Sequence, residues 1–351
     1  MKQHSLRALA LALLWLGVCP STFSAQITIT SWGGLYSHAQ RRALADAFTQ
    51  QTQTTVLMEE WGGNIARVEA MVRHGSYSTH VLDAEGNTVV AGCESGVLET
   101  IDYAEIGVEP ADLLPGSRHR CGVGHVAWSM LLAYDTVIFA TDPPANWTNF
   151  WDTSRFPGRR GLRKNPDPNL EIALIADGVA TEDIYPQLMT AAGVDRAFEA
   201  LTNLAPNVDW WEAGAQAPQR LLDGEVSMTS AWHGRALAAN AAESAVLGLV
   251  WDGQVVHYDY WVIPKDHPRK HVSYEFIKFA MSPLRQAEVT RYILYGATHR
   301  GAAQHVKPAV LAQLPSAPAH LRVWLPHDPK FWVDHANQLS ERFRLWLEAG
   351  S

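Results

Sequence analysis

Charge is scarce in this sequence. Asp, Glu, Lys and Arg make up 18% of 351 residues, below the quarter usual for soluble domains, which argues against an extended, disordered chain. The formal net charge is -8, so the basic excess that nucleic acid demands is missing, and no nucleic-acid partner is expected. No apolar run is long enough to span a bilayer; Ala8–Val18 is too short. Ser-His-Asp, Cys-His and phosphate-loop patterns are missing too, and Gly33-Gly34 lacks the remaining glycines of a dinucleotide loop. His74, His80, Asp83 and Glu85 match no compact ligand spacing, so neither metal nor cofactor is expected. Cysteine is limited to three residues.

The first residues account for part of that pattern. Lys2 and Arg7, the apolar Ala8–Val18 and the small residues Thr22, Ser24 and Ala25 read as a secretory leader over 1–25, which implies a periplasmic protein. Loss of Lys2 and Arg7 removes two positive charges and takes -8 to -10. Leu16-Gly17-Val18-Cys19 faintly resembles a lipoprotein box, with Val18 a poor residue before the cysteine. Export leaves Cys93 and Cys121, an even pair in an oxidising compartment. A disulfide between them would close a loop of roughly 28 residues, worth on the order of 3 kcal/mol; two buried free thiols are the alternative.

Tryptophan, by contrast, is abundant, at 14 residues. Three of them, Trp210, Trp211 and Trp232, fall in Pro206–Arg235 among Asp209, Glu212, Asp223 and Glu225. Indole faces and carboxylates together hold an organic cation once it leaves water, so this stretch reads as a binding surface.

Along the rest of the chain, Gln26–Ser31, Thr54–Met58 and Thr79–Asp83 read as strands and His38–Gln50 and Ile65–His74 as helices, with Ser37 as an N-cap. The alternation implies βαβ units and a sheet whose carboxyl ends present Trp32, Tyr36 and the Trp61 turn. Ala127–Tyr134 is a buried strand, followed by a first crossover near Asp142-Pro143-Pro144. Five cations between Asn146 and Lys164 (Arg155, Arg159, Arg160, Arg163, Lys164) read as a solvated face, a partner surface or an anion site. Leu170–Asp177 is helical, with Glu171 in its first turn, and Leu188–Asn203 contains another helix. Gly248–Gln254 reads as strand and turn, and His257–Pro264 as the returning strand; helices follow at Ser273–Met281 and Phe331–Leu347. A chain that leaves one α/β lobe and comes back makes a two-lobed body with a cleft that closes by a hinge. The expected division is 26–132 plus 259–303 for the first lobe and 133–258 plus 304–351 for the second.

Several of these segments resemble the periplasmic solute-binding proteins of polyamine-type ABC importers. In that family a Trp-Trp-x-x-Gly-x-Gln turn precedes a helix, a Gly-Glu-Val strand and an Asn-Gly-Arg-like turn; here these are Trp210–Gln216, Gly224–Val226 and His233-Gly234-Arg235. Ser31–Tyr36, Phe156–Arg160, Leu170–Leu174, Asp259–Lys265 and Tyr295-Gly296 extend the likeness over the mature chain. The resemblance implies a two-lobed α/β fold of type II, each lobe a mixed sheet flanked by helices. It also implies a monomer that hands a small amine, putrescine or spermidine, to an ABC permease without catalysis. Carried over by position, Trp32 and Tyr36 would line one wall, Trp232 would stack on the alkyl chain, and Asp259 would pair with an ammonium. Glu171 would take a second ammonium and Tyr295 another wall. A carboxylate inside Tyr258-Tyr260-Trp261 is costly to bury without a cation, although a structural salt bridge would also serve Asp259. For Trp211, core packing and ligand contact fit equally well. Two departures stand out: Thr79-His80 replaces an expected Asp, and Asp83–Gly86 lacks an aromatic, for which Glu85 could compensate as an amine ligand. The same family binds opines, amino acids and other amine-bearing solutes, so a zwitterion with Arg235 on its carboxylate is the second reading. A secreted glycosidase with tryptophan subsites is the remote third, since no carboxylate pair at catalytic spacing is identifiable.

Overall fold

Gln26–Ser31 (β1) alternates β-branched and polar residues, yet all but its first residue are buried, the signature of a strand covered on both faces. The computed structural model, which describes residues 25–243 and 247–350, pairs β1 in parallel with Thr55–Glu60 (β2) and Val81–Glu85 (β3). The remaining strands are Arg118–His119 (β4), Gly122–Asp135 (β5), Arg160–Arg163 (β6), Val208–Trp211 (β7), Met228–Trp232 (β8), Leu247–Val262 (β9), Gly296–Ala297 (β10) and Trp324–Pro326 (β11). The main path of the sheet runs β2-β1-β3-β9-β5-β8-β6-β7, parallel at both outer ends and antiparallel where β9 meets β3 and β5. Helices flank this mixed sheet.

β5 and β9, of 14 and 16 residues, serve both halves of the sheet. Each strand changes neighbours along its length. Val123 to Met130 of β5 pair with Trp261 to Val255, whereas Leu132 to Asp135 pair with Val250 to Leu247. The residues skipped between these registers, Trp251 to Gln254, include Gly253 at φ +74°, so the expected turn is an interruption within one continuous strand. Apolar packing divides at the same place. One cluster gathers Met130–Ala133, Trp147, Phe150, Ile172 and Trp211, together with Phe331 and Phe343 of the C-terminal helix Pro329–Glu348. Two others gather Ile27, Phe48, Trp261 and Phe276, and Leu82, Val89, Leu98 and Tyr260.

Other boundaries moved for local reasons. The first helix starts at Gly34 rather than His38, because Gly33 (φ +86°) turns the chain and Ser37 Oγ accepts from the Gly33 N–H at 2.8 Å. The third strand lies two residues later than expected and carries Glu85 as its last residue. The expected Leu170 helix is preceded by a turn from Pro166, where the Asn165 side chain accepts from the Asp167 N–H at 2.8 Å; Asp167 and Pro168 leave helical geometry, so regular helix runs only after Pro168. Cys93 and Cys121 are disulfide-bonded, tying the helix Gly86–Glu94 to the start of β5. The expected leader and Cys19 lie outside the described residues.

Candidate functional site

A cavity of about 1170 Å³ opens where the two halves of the sheet meet, and residues from nearly every part of the chain reach it. Strand register builds its acidic end. Glu85 of β3 lies directly opposite Asp259 of β9, and Asp83, two residues earlier, shares the face of Glu85. Asp83 is fully buried but well supplied with partners. Ser31 Oγ donates to it at 3.0 Å, the Gln40 amide donates to the same oxygen, and His125 Nε2 lies 3.1 Å from the other. Asp259 is 5% exposed and accepts from Trp128 Nε1 at 3.0 Å. Burial, then the charges of Asp83 and Glu85, hold its carboxyl well above the usual carboxylate range. An ammonium entering the cavity would relieve that cost directly.

Trp128 begins an aromatic wall. It stacks on His257 with centroids 4.3 Å apart and meets Trp232 edge-on at 5.0 Å. The Arg163 guanidinium lies 5.5 Å from the Trp232 ring centroid, which gives the wall a cationic end. Opposite, Trp32 packs against Trp61 at 5.8 Å and Tyr36 against Tyr295 at 5.5 Å. Gly63 has no room for a side chain here, since a Cβ would come within 2.9 Å of Trp32. An acid, a stretch of indole and a guanidinium thus follow one another through direct contacts.

The lining includes Trp32, Tyr36, Glu85, Trp232, Asp259 and Tyr295. Two other residues expected to meet the ligand are elsewhere. Trp211 is 1% exposed within the apolar cluster, on the face of the outermost strand β7 opposite to Trp210, which meets Phe343 and Trp346 of the C-terminal helix. Glu171 is fully buried behind the lining, accepting from Trp332 Nε1 at 2.6 Å and Tyr185 OH at 3.1 Å; burial and the charge of Asp167 push its carboxyl up to about 8. Of the five cations between Asn146 and Lys164, only Arg163 lines the cavity; Arg159, for example, is bound to Asp209. Sequence reasoning missed Trp128 outright and left Arg163 among several cations.

Asp167, His257 and His327 bring one donor atom each within 4.8 Å of one another beside the cavity. His327 Nε2 is already 3.2 Å from Asp167 Oδ1, and the His257 and His327 rings stack at 4.0 Å with 26° between their planes. Stacked rings direct their lone pairs side by side rather than toward a common point. Burial draws His327 down, but Asp167 and Glu171 raise it further, while burial, His327 and Arg163 all depress His257. The group therefore suits a shared proton better than a metal.

A family model for bacterial extracellular solute-binding protein matches residues 43–319. The chain belongs to that family. The solute-binding protein is 40% identical over 343 residues to the gamma-aminobutyric acid-binding protein of Pseudomonas aeruginosa, covering 98% of this chain and 97% of the relative. An ABC transporter substrate-binding protein from Bradyrhizobium japonicum superposes with a TM-score of 0.79 at 32% identity, over 92% of this chain and 99% of that one. A solved GABA receptor superposes with a TM-score of 0.77 at 27% identity, over 92% and 97%. The fold of the solute-binding protein is thus that of periplasmic binding proteins.

Proposed function

We propose that this solute-binding protein captures a zwitterionic ω-amino acid, GABA or a close analogue, in the periplasm and delivers it to an ABC permease. The observation that carries the reading is the balance of charge in the cavity. Glu85, Asp167 and Asp259 are its acidic groups and Arg163, Arg235 and Arg291 its guanidiniums; Asp167 is engaged by His327 and Arg291 by Glu288, which leaves Glu85 and Asp259 against Arg163 and Arg235. A zwitterion adds no net charge to such a site, whereas a diamine would leave two ammonium groups among cations. The ammonium pairs with Asp259 and Glu85, the methylenes cross Trp128 and Trp232, and the carboxylate meets Arg163, with Arg235 as a second donor. Trp32, Tyr36 and Tyr295 close the opposite wall. Ligand capture then closes two lobes, 26–132 plus 259–303 and 133–258 plus 304–351, about β5 and the interruption in β9. The 40% identity to a GABA-binding protein over nearly the whole chain supports the same ligand class.

Thermal unfolding against GABA, putrescine, spermidine, arginine and an opine tests the reading. A ligand at 100 times its dissociation constant stabilises by about 2.7 kcal/mol, a readily visible shift. GABA is expected to give it and the polyamines are not. A response to putrescine or spermidine alone would return the function to polyamine capture.

A further inference from the structure

His233 opens the helix His233–Glu243, is 1% exposed, and uses both ring nitrogens. The Ser129 N–H of β5 lies 3.1 Å from Nδ1, which must accept from it. Nε2 therefore carries the proton and donates to the Leu294 carbonyl at 2.8 Å. Both partners lie toward one half of the sheet: Ser129 belongs to the register of β5 that runs from Val123 to Met130, and Leu294 precedes β10, which pairs with Val126 and Ala127 of that same register.

The residue after Leu294 is Tyr295, one wall of the cavity. Its ring lies 5.5 Å from that of His233, and Gly234 presses so closely that a Cβ there would be 3.0 Å from Tyr295 Cε1. Tyr295 in turn rests on Tyr36. We propose that His233 is a positioning residue for ligand capture, tying the helix start to the Leu294 carbonyl and so holding Tyr295 against the cavity. Burial lowers the imidazole to about 4, so the neutral tautomer that makes both bonds persists throughout the neutral range. His233 borders the cavity, but both of its ring nitrogens are engaged, so it offers the ligand no free polar atom and acts through Tyr295.

The inference rests on the GABA reading for its probe but not for its geometry, and two substitutions separate the bonds. His233→Asn keeps an oxygen near the Nδ1 position to accept from Ser129 but is too short to reach Leu294. His233→Gln places an amide nitrogen near the Nε2 position and can still donate to Leu294. Titration calorimetry with GABA should show His233→Asn weakened by about 3- to 10-fold, the range of a single hydrogen bond, with His233→Gln close to wild type. The reverse order would assign His233 to Ser129 alone and overturn the proposal, as would wild-type affinity in both. Should wild-type protein not bind GABA, the functional reading falls and amide exchange in the ligand-free protein decides the tie. Faster exchange over residues 292–296 in His233→Asn, but not in His233→Gln, supports it; equal exchange in all three overturns it.

Discussion

Asp259 and Glu171 are both withdrawn from bulk water, and both hold a proton more tightly than an ordinary acid, but they sit in opposite kinds of surroundings. Glu171 has an indole and a phenol donor and lies behind the cavity wall, next to the Asp167–His327 pair. Asp259 has an indole donor, two carboxylate neighbours and an open cavity in front of it. Desolvation is common to the two; what differs is what each carboxyl faces. Burial and Asp167 keep the proton on Glu171, whose one oxygen is held by Trp332 and Tyr185, so it serves as a neutral acid in the architecture. Asp259 faces the cavity, where on the proposed reading the ligand ammonium supplies its counter-charge.

Removing the charge at each position should separate the two roles most sharply. Asp259→Asn keeps the shape but leaves the ligand ammonium without its counter-charge, so GABA affinity should fall by about 2–5 kcal/mol in titration calorimetry. Wild-type affinity in that variant would end the assignment. Glu171→Gln should leave affinity nearly unchanged and alter the pH profile of stability instead. The folded-state value of Glu171, about 8, lies above its ordinary 4.5, so between these values the folded protein retains a proton that the unfolded chain releases. Wild-type stability is therefore eroded as pH rises through that window, and the glutamine variant escapes the loss. Its advantage in thermal unfolding should grow from about pH 5 to about pH 8 and reach on the order of 2–4 kcal/mol. Parallel pH profiles would show that Glu171 does not titrate there.

The same contrast explains what could be read from the sequence. Asp259 was legible because a lone acid inside Tyr258-Tyr260-Trp261 breaks an apolar strand, and the alternation of β9 alone puts His257, Asp259 and Trp261 on one face. Helices such as Ile65–His74 were legible to the residue because their apolar period is local and their ends carry Asn64 and Gly75 caps. Trp128 was not legible. Val123 pairs with Trp261 and Trp128 with His257, so an odd and an even position of β5 share one face. The register slip between Gly124 and Val126 makes this possible, and a strict period of two would send Trp128 to the other side. Glu171 was misplaced because a helix's first turn is ordinarily near solvent, and nothing local announces that Tyr185 and Trp332 cover it.

Arg163 sharpens the comparison from the other end of the cavity. If the ligand is a zwitterion, Arg163→Gln removes a charge-assisted hydrogen bond to its carboxylate and should weaken GABA by about 1.5–3 kcal/mol. The same substitution takes a repelling charge away from a diamine, so putrescine affinity should stay level or rise. Equal losses for both compounds would mean that Arg163 supports Trp232 through its stacking contact rather than meeting the ligand.

Trp211 supplies the smallest expected effect on binding. It sits beside Trp210 in the sequence and shares its composition with Trp232, yet it is packed in the apolar cluster while Trp232 faces the cavity. The difference follows from strand position: β8 runs beside β5 near the middle of the sheet and ends at the cavity, whereas β7 is the outermost strand. Its indole nitrogen is buried without a hydrogen-bond partner, so Trp211→Phe removes a polar atom that gains nothing along with part of the packing volume. Stability should fall by about 1–2 kcal/mol in chemical denaturation while GABA affinity is unchanged. A selective loss of affinity at wild-type stability would instead bring Trp211 into the ligand's reach and require β7 to move when the ligand binds.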